Sequence, residues 1–320
     1  MDIIRPRLTD YHGIHKNQAD LDFAIQFFDE DIPLYVDPFL LWKSPSQQDN
    51  ALYTTITNSF NHLNYLIKKK QEDEALSILI DISECHEVGL GVSKTRKGTK
   101  ISEKQAQDIL SLFKDIPEYS QFGFTHFEII QLYIAGISKD RISDITCNYL
   151  KSFLIDYTIE QCEINKIPTE GVILDSIYNY KTNKLDTNQK VYLPVNPLTK
   201  EPLIFTPKRW LRFNTWINYE DYFQKYCPRD EIFNPDEPEE RVKVLNFNRE
   251  NYGTIEGYIE YKTKASENCK NDPLFSQIPI LSAKRKLSQI LKLNTGKEHG
   301  ADIQYEELSA SLLASLFYPH

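Results

Sequence analysis

The chain has 320 residues, of which 41% are hydrophobic and 26% charged, enough to bury a sizeable core in one large domain or two subdomains. Its 46 acidic residues outnumber 37 basic ones, and the net charge of −9 argues against a surface coated in nucleic acid while leaving room for a local basic groove. No apolar run approaches the roughly 18 residues of a membrane span, and the N-terminus MDIIRPRLTDYHG lacks the apolar stretch of a signal peptide. Cys85, Cys147, Cys162, Cys227 and Cys269 are widely spaced with no CxxC and no His at zinc-ligand spacing, so they read as reduced thiols of a cytosolic protein.

Taken in order, Leu21, Ala24, Ile25 and Phe28 predict a helix over 18–29. Leu34-Tyr35-Val36 is a short strand-like run ended by Asp37-Pro38. An Asp there serves as a metal ligand or, more commonly, caps the next turn. Leu52, Ile56, Phe60, Leu63 and Ile67 predict a long helix over 47–69, with Lys68, Lys69 and Lys70 suiting the negative end of its dipole. A helix over 72–82 then makes an antiparallel pair.

The most distinctive stretch is Glu84 to Lys100, ECHEVGLGVSKTRKGTK, leading into a capping box formed by Ser102 and Gln105. Its glycines and its cations Lys94, Arg96, Lys97 and Lys100 precede a helix start, so main-chain N–H groups, positive charge and a dipole converge. That suits a phosphate group; the alternative is a loop solvated by its charges. The spacing is not that of a Walker A loop.

Helices are predicted over 102–114, 126–135 and 139–164, the last carrying an Asp140–Arg141–Asp144 cluster that reads as a structural ion pair. After Pro168 the pattern changes. Val172–Tyr178 and Lys190–Val195 are strand-like, and the turn Asn196–Pro202 links the latter to Leu203–Thr206 as a hairpin. In PKRWLRFNTW, Lys208, Arg209 and Arg212 alternate with Trp210, Phe213 and Trp216. Cations interleaved with rings suit a nucleic-acid strand, whereas the same spacing on a helix makes the rings core and the cations surface. Residues 228–240 form a Pro-rich acidic linker, followed by helices over 239–250 and 253–268 and a basic helix bearing Lys284, Arg285 and Lys286. Leu308, Leu312, Leu313, Leu316 and Phe317 put one apolar face on a final helix from Tyr305, which needs a cover and suggests a longer protein.

The expected fold is therefore α+β, predominantly helical, with a small antiparallel sheet or hairpin around 170–206. Three regions follow from the composition: a helical domain at 1–165 with the basic loop 88–100, a β-hairpin subdomain at 166–227, and a helical region at 228–320 leading into a further C-terminal domain. One nuclease-like pattern is present. Asp236 is followed by Glu260-Tyr261-Lys262, the carboxylates and lysine that PD-(D/E)XK enzymes use around Mg²⁺. Those enzymes need strands, however, and GYIEYKTKASE reads as easily as helix. No metal site is expected elsewhere; His86, between Glu84 and Glu87, fits a solvated helix end.

DIPLYVDPFLLW, GLGVSKTRKGTKIS, DRISDIT and YEELSASLLASLFYPH together resemble a group of bacterial proteins linked with restriction-like defence against phage. In that group a PD-(D/E)XK-type nuclease domain follows the last of these segments. The resemblance implies a sensing and regulatory region whose catalytic residues and Mg²⁺ belong to the nuclease domain, with no cofactor in this chain. Its implied partners are nucleic acid, a phage or partner protein, and that C-terminal or separate nuclease, with no membrane; homo-oligomerisation stays open. The phosphate-contact candidates are Lys94, Arg96, Lys97 and Lys100, then Lys208, Arg209 and Arg212. The alternatives are a non-enzymatic protein-interaction module and a self-contained nuclease using Asp236, Glu260 and Lys262.

Overall fold

The computed structural model describes residues 7–16, 18–93, 96, 98–234, 238–271, 283, 286–293 and 300–317. The protein is α+β and predominantly helical, and its strands form two-stranded antiparallel pairs. A helical first half carries α1 (Leu8–His12), β1 (Tyr35–Val36), α2 (Pro38–Trp42), α3 (Gln47–Lys68), α4 (Glu72–Asp81), α5 (Glu103–Asp115), α6 (Pro117–Phe122), α7 (Lys139–Tyr149) and α8 (Lys151–Asn165). Next come β2 (Glu170–Leu174), β3 (Ile177–Asn179), β4 (Lys184–Asp186), β5 (Gln189–Leu193) and β6 (Leu211–Arg212), then α9 (Tyr219–Lys225), α10 (Arg229–Ile232), α11 (Arg241–Glu250) and α12 (Tyr252–Lys264). A last helix spans Ala301–Phe317.

α3 forms where its apolar stripe predicts it. Ser46 caps it by accepting the Asp49 amide, and Tyr53, Ile56, Phe60 and Leu63 face inward. The Ser102–Gln105 capping box closes in both directions at the start of α5. Asp37 takes the capping role: its carboxylate accepts from the Phe39 amide at the start of α2. It also accepts from the Trp216 amide at 2.7 Å, which ties α2 to the region after β6.

Four expectations change. Residues 21–28 are not helical: after a single 3-10 turn at Gln18–Asp20, the chain runs extended, bridging Arg7 from Phe27 and Pro207 from Phe23. Leu21, Phe23, Ala24, Phe27 and Phe28 are all buried, too many apolar groups for a one-faced helix, and Gln18 meets the Phe23 carbonyl and Ile25 amide in place of helical bonds. Residues 127–132 form a 3-10 helix with every side chain buried. Distant side chains bond its carbonyls, Arg241 at Gln131 and Asn248 at Leu132. The predicted helix over 139–164 is two helices, broken at Leu150, just where Lys151 enters the core to meet Glu87 at 2.7 Å.

The sheet also pairs differently. β5 joins β2, with Gly171 opposite Tyr192 and Ile173 opposite Lys190, and β3 and β4 form their own hairpin. The Asn196–Pro202 turn closes through a Val195–Pro202 bridge. Leu203 still donates to the Pro194 carbonyl across that turn, and Ile204–Thr206 then leaves it, because Ile204 donates to the Glu87 carbonyl and Phe205 to the Thr158 hydroxyl. One large apolar core runs from Ala24 to Cys269, so it takes side chains from all three predicted regions. A smaller one joins Leu8, Leu21, Phe23 and Phe28 to Leu203 and Phe205, with Phe23 and Phe205 stacked at 4.3 Å. The five cysteines are free. No helix among the described residues is long and apolar enough to cross a membrane.

Candidate functional site

The basic groups expected to meet phosphate are held, among the described residues, by partners in the same chain. Arg96 is only 3% exposed. Its guanidinium donates to the Phe27 carbonyl at 2.8 Å and to those of His86 and Glu87 at 3.4 and 3.3 Å. The glycines beside it make room for this. Gly89 has φ +59°, and a Cβ there would stand 1.9 Å from Arg96 Nη1; one on Gly91, at φ +125°, would stand 2.4 Å from the Asp140 carboxylate. Lys100 pairs with Asp81 at 2.5 Å. Lys94 and Lys97 lie outside the described residues.

Lys208 donates to the Ala19 carbonyl at 2.8 Å. Arg209 grips Asp49 through two bonds of 3.0 and 3.1 Å, and Arg212 bonds the Asn214 and Lys270 carbonyls and faces Asp37 at 3.4 Å. Trp210 is buried, as the core reading of that segment has it. Of the nuclease-like set, Asp236 is outside the described residues, while Glu260 and Lys262 lie on α12, a helix. Glu260 is exposed and pairs with Lys264, whereas Lys262 is buried against Asp221 at 2.7 Å and over the Trp216 ring. They therefore look to opposite sides. Lys286 is buried, 3.5 Å from Glu30, and Lys284 and Arg285 are outside the described residues. Arg141 bridges Glu84 and Asp144, the structural ion pairing expected there. Among the described residues no three His, Cys, Asp or Glu groups converge in a way that could hold a metal ion.

The site that the chain does build lies between α2, α3, the 3-10 helix at 127–132 and α12. Asn61 of α3 clamps the turn before it, accepting from the Phe124 amide at 2.7 Å and donating to the Phe124 carbonyl at 2.9 Å. That fixes the approach of His126, which is 2% exposed. The His126 Nδ1 stands 2.7 Å from the Tyr53 hydroxyl and 3.1 Å from Glu128 Oε1. Tyr53 donates its own proton to the Thr125 carbonyl at 2.8 Å, so Nδ1 faces two acceptors and carries a hydrogen. Phe39 stacks on the imidazole at 5.5 Å and Trp42 meets it edge-on at 5.4 Å. Burial, with the Glu128 charge second, pushes the Tyr53 phenol well above its ordinary value, so it stays a neutral hydrogen-bonding group.

His126 lines a cavity of about 460 Å³ walled by Trp42, Tyr119, Ile129, Tyr252, Ile255 and Ile259. Gly123, Thr125, Glu256, Glu260, Thr263 and Lys264 complete its lining. Nε2 makes no hydrogen bond among the described residues, and His126 is a buried polar side chain in the wall of a mainly apolar chamber. A ring held by a carboxylate at its N–H nitrogen can accept one hydrogen bond at the other, at a fixed point. Sequence reasoning passed over this set; the only local signal was His126 and Glu128 flanking Phe127, because Tyr53, Trp42 and Tyr252 come from remote elements.

A family model described as Domain of unknown function (DUF8370) matches residues 13–218. No curated protein and no solved structure matches.

Proposed function

The chain belongs to the DUF8370 family, and we propose that it is the sensing and control region of a bacterial anti-phage defence nuclease, joined to or associated with that nuclease, and that the component it senses is a small ligand held in the His126 cavity. The observation that carries the reading is the chamber itself: a buried, oriented imidazole in the wall of a cavity of about 460 Å³ lined mainly by aromatic and aliphatic side chains. The cavity also spans two parts of the chain. His126 and Trp42 come from the family-matched segment, whereas Tyr252, Ile255 and Ile259 come from α12 beyond it. A ligand between them would bias how α12 sits, the kind of two-state contact through which binding controls a partner. The links to defence and to a nuclease rest on the sequence resemblance.

The test is protection of cells carrying the full natural gene against phage. Ile259→Trp, which fills the chamber, is expected to abolish protection with the protein still folded by circular dichroism and present at wild-type level. Undiminished protection would refute the reading. A second reading, a protein-interaction module, is favoured by the outer face of the β2–β5 pair, where Ile173 and Tyr192 are 66% and 57% exposed. It expects a nuclease-resistant pull-down of a phage or partner protein that Ile173→Glu with Tyr192→Glu abolishes.

A further inference from the structure

The lining of the chamber restricts its ligand further. A sugar would need many hydrogen-bond partners for its hydroxyls, and an acyl chain would need none. Here the walls are three aromatic rings and three isoleucines, and the buried polar side chain among them is His126, 2% exposed. That combination fits a flat heteroaromatic group, stacked by its faces and hydrogen-bonded at one edge. The volume lies in the range of roughly 300–1,000 Å³ that encloses small-molecule ligands.

The remaining lining sets the charge. Glu256, Glu260 and Lys264 are exposed, and Lys264 is already paired with Glu260 at 2.5 Å. Two carboxylates against one engaged ammonium leave a net negative rim, which disfavours a phosphate and tolerates sugar hydroxyls. Resting on the sensing reading above, we infer that the cavity takes an unphosphorylated nucleoside or free nucleobase, with the base against His126 and any sugar towards Glu256 and Glu260. The same base chemistry could reach the pocket as a residue of a nucleic-acid strand, but every such residue brings phosphates to that rim.

Isothermal titration with adenosine, guanosine, cytidine and uridine, their 5′-monophosphates and single-stranded ten-nucleotide oligomers separates these cases. At least one nucleoside is expected to bind, with its monophosphate and the oligomers weaker by about tenfold or more. His126→Phe should weaken the nucleoside by about tenfold, as the loss of one hydrogen bond implies. The exposed pair Glu256→Gln with Glu260→Gln should narrow the gap between nucleoside and monophosphate, and this variant leaves the core untouched. No nucleoside binding at millimolar concentration, a monophosphate or oligomer that binds as tightly, or an unchanged gap in the rim variant each overturns the inference. If nucleosides fail while Ile259→Trp still abolishes protection, the ligand class is wrong and the sensing reading stands. If Ile259→Trp protects normally, the sensing reading fails whatever binds.

Discussion

Removal of the Arg96 guanidinium should be among the most damaging single changes to the 84–100 loop, through stability rather than through lost phosphate contact. Arg96→Ala leaves the carbonyls of Phe27, His86 and Glu87 without this donor in a site that is 3% exposed. It also removes the cation that opposes the upward shift of the buried Asp31 carboxyl. Hydrogen bonds from a charged donor contribute about 1.5–3 kcal/mol each, and the two longer ones here belong at the weak end. Removing one side of a buried charged network costs about 3–5 kcal/mol, and we place Arg96→Ala in that range. Against a total stability of roughly 5–15 kcal/mol, Tm should fall by roughly 5–10 °C. Gly89→Ala attacks the same contact from the other side, because its Cβ would stand 1.9 Å from Nη1 at a φ of +59°. The φ strain alone costs about 1 kcal/mol, and expelling the guanidinium adds to it. In the Arg96→Ala background only the strain remains, so the two penalties should be strongly sub-additive. Urea denaturation followed by circular dichroism reads all four proteins. A cost for Arg96→Ala below about 1 kcal/mol, or penalties that simply add, would refute the reasoning.

Lys151 and Glu87 form a buried pair at 2.7 Å, so Lys151→Met should cost about 3–5 kcal/mol and the double variant with Glu87→Leu should regain much of it; equal stability of single and double variants would count against a lone buried carboxylate as the cause. Burial pushes the Asp37 and Asp31 carboxyls up to about 7, with Arg212 and Arg96 opposing the rise. Their folded pKa values lie above the unfolded value near 3.8, so their contribution is full below that value and is lost as pH rises through about 7. The urea midpoint should therefore rise between pH 8 and pH 5.5, and Asp37→Asn should flatten that slope; an unaltered slope contradicts the assignment. Gly123→Ala would place a Cβ 2.6 Å from the Asn61 amide that clamps the turn before His126, and it is expected to weaken ligand binding more than a remote surface change of equal stability cost.

What could be read from the sequence was what depends on neighbours in the chain. The stripe of α3, the capping box of α5 and the cap at Asp37 are each set by residues a few positions apart, and all three formed. What could not be read was set by distant partners. Residues 18–29 have helical spacing, yet Gln26 bonds the carbonyls of Val88 and Ile204 and Arg96 takes that of Phe27. Arg96 itself shows the limit for charge: a cation between glycines suggests a phosphate loop, but the glycines admit its side chain into the protein. The cavity was hidden for the same reason, since His126, Tyr53 and Tyr252 meet only after α3 and α12 pack.

The most direct test of the sensing role uses the fraction below about 1 kDa from phage-infected cells. A ligand at a hundred times its Kd stabilises the state it binds by about 2.7 kcal/mol, a Tm rise of roughly 5 °C here. The wild-type protein should show a rise of that order with extract from infected cells and a clearly smaller one with extract from uninfected cells, and Ile259→Trp should show neither. A wild-type Tm that does not move, or an equal rise in the filled variant, would contradict the account.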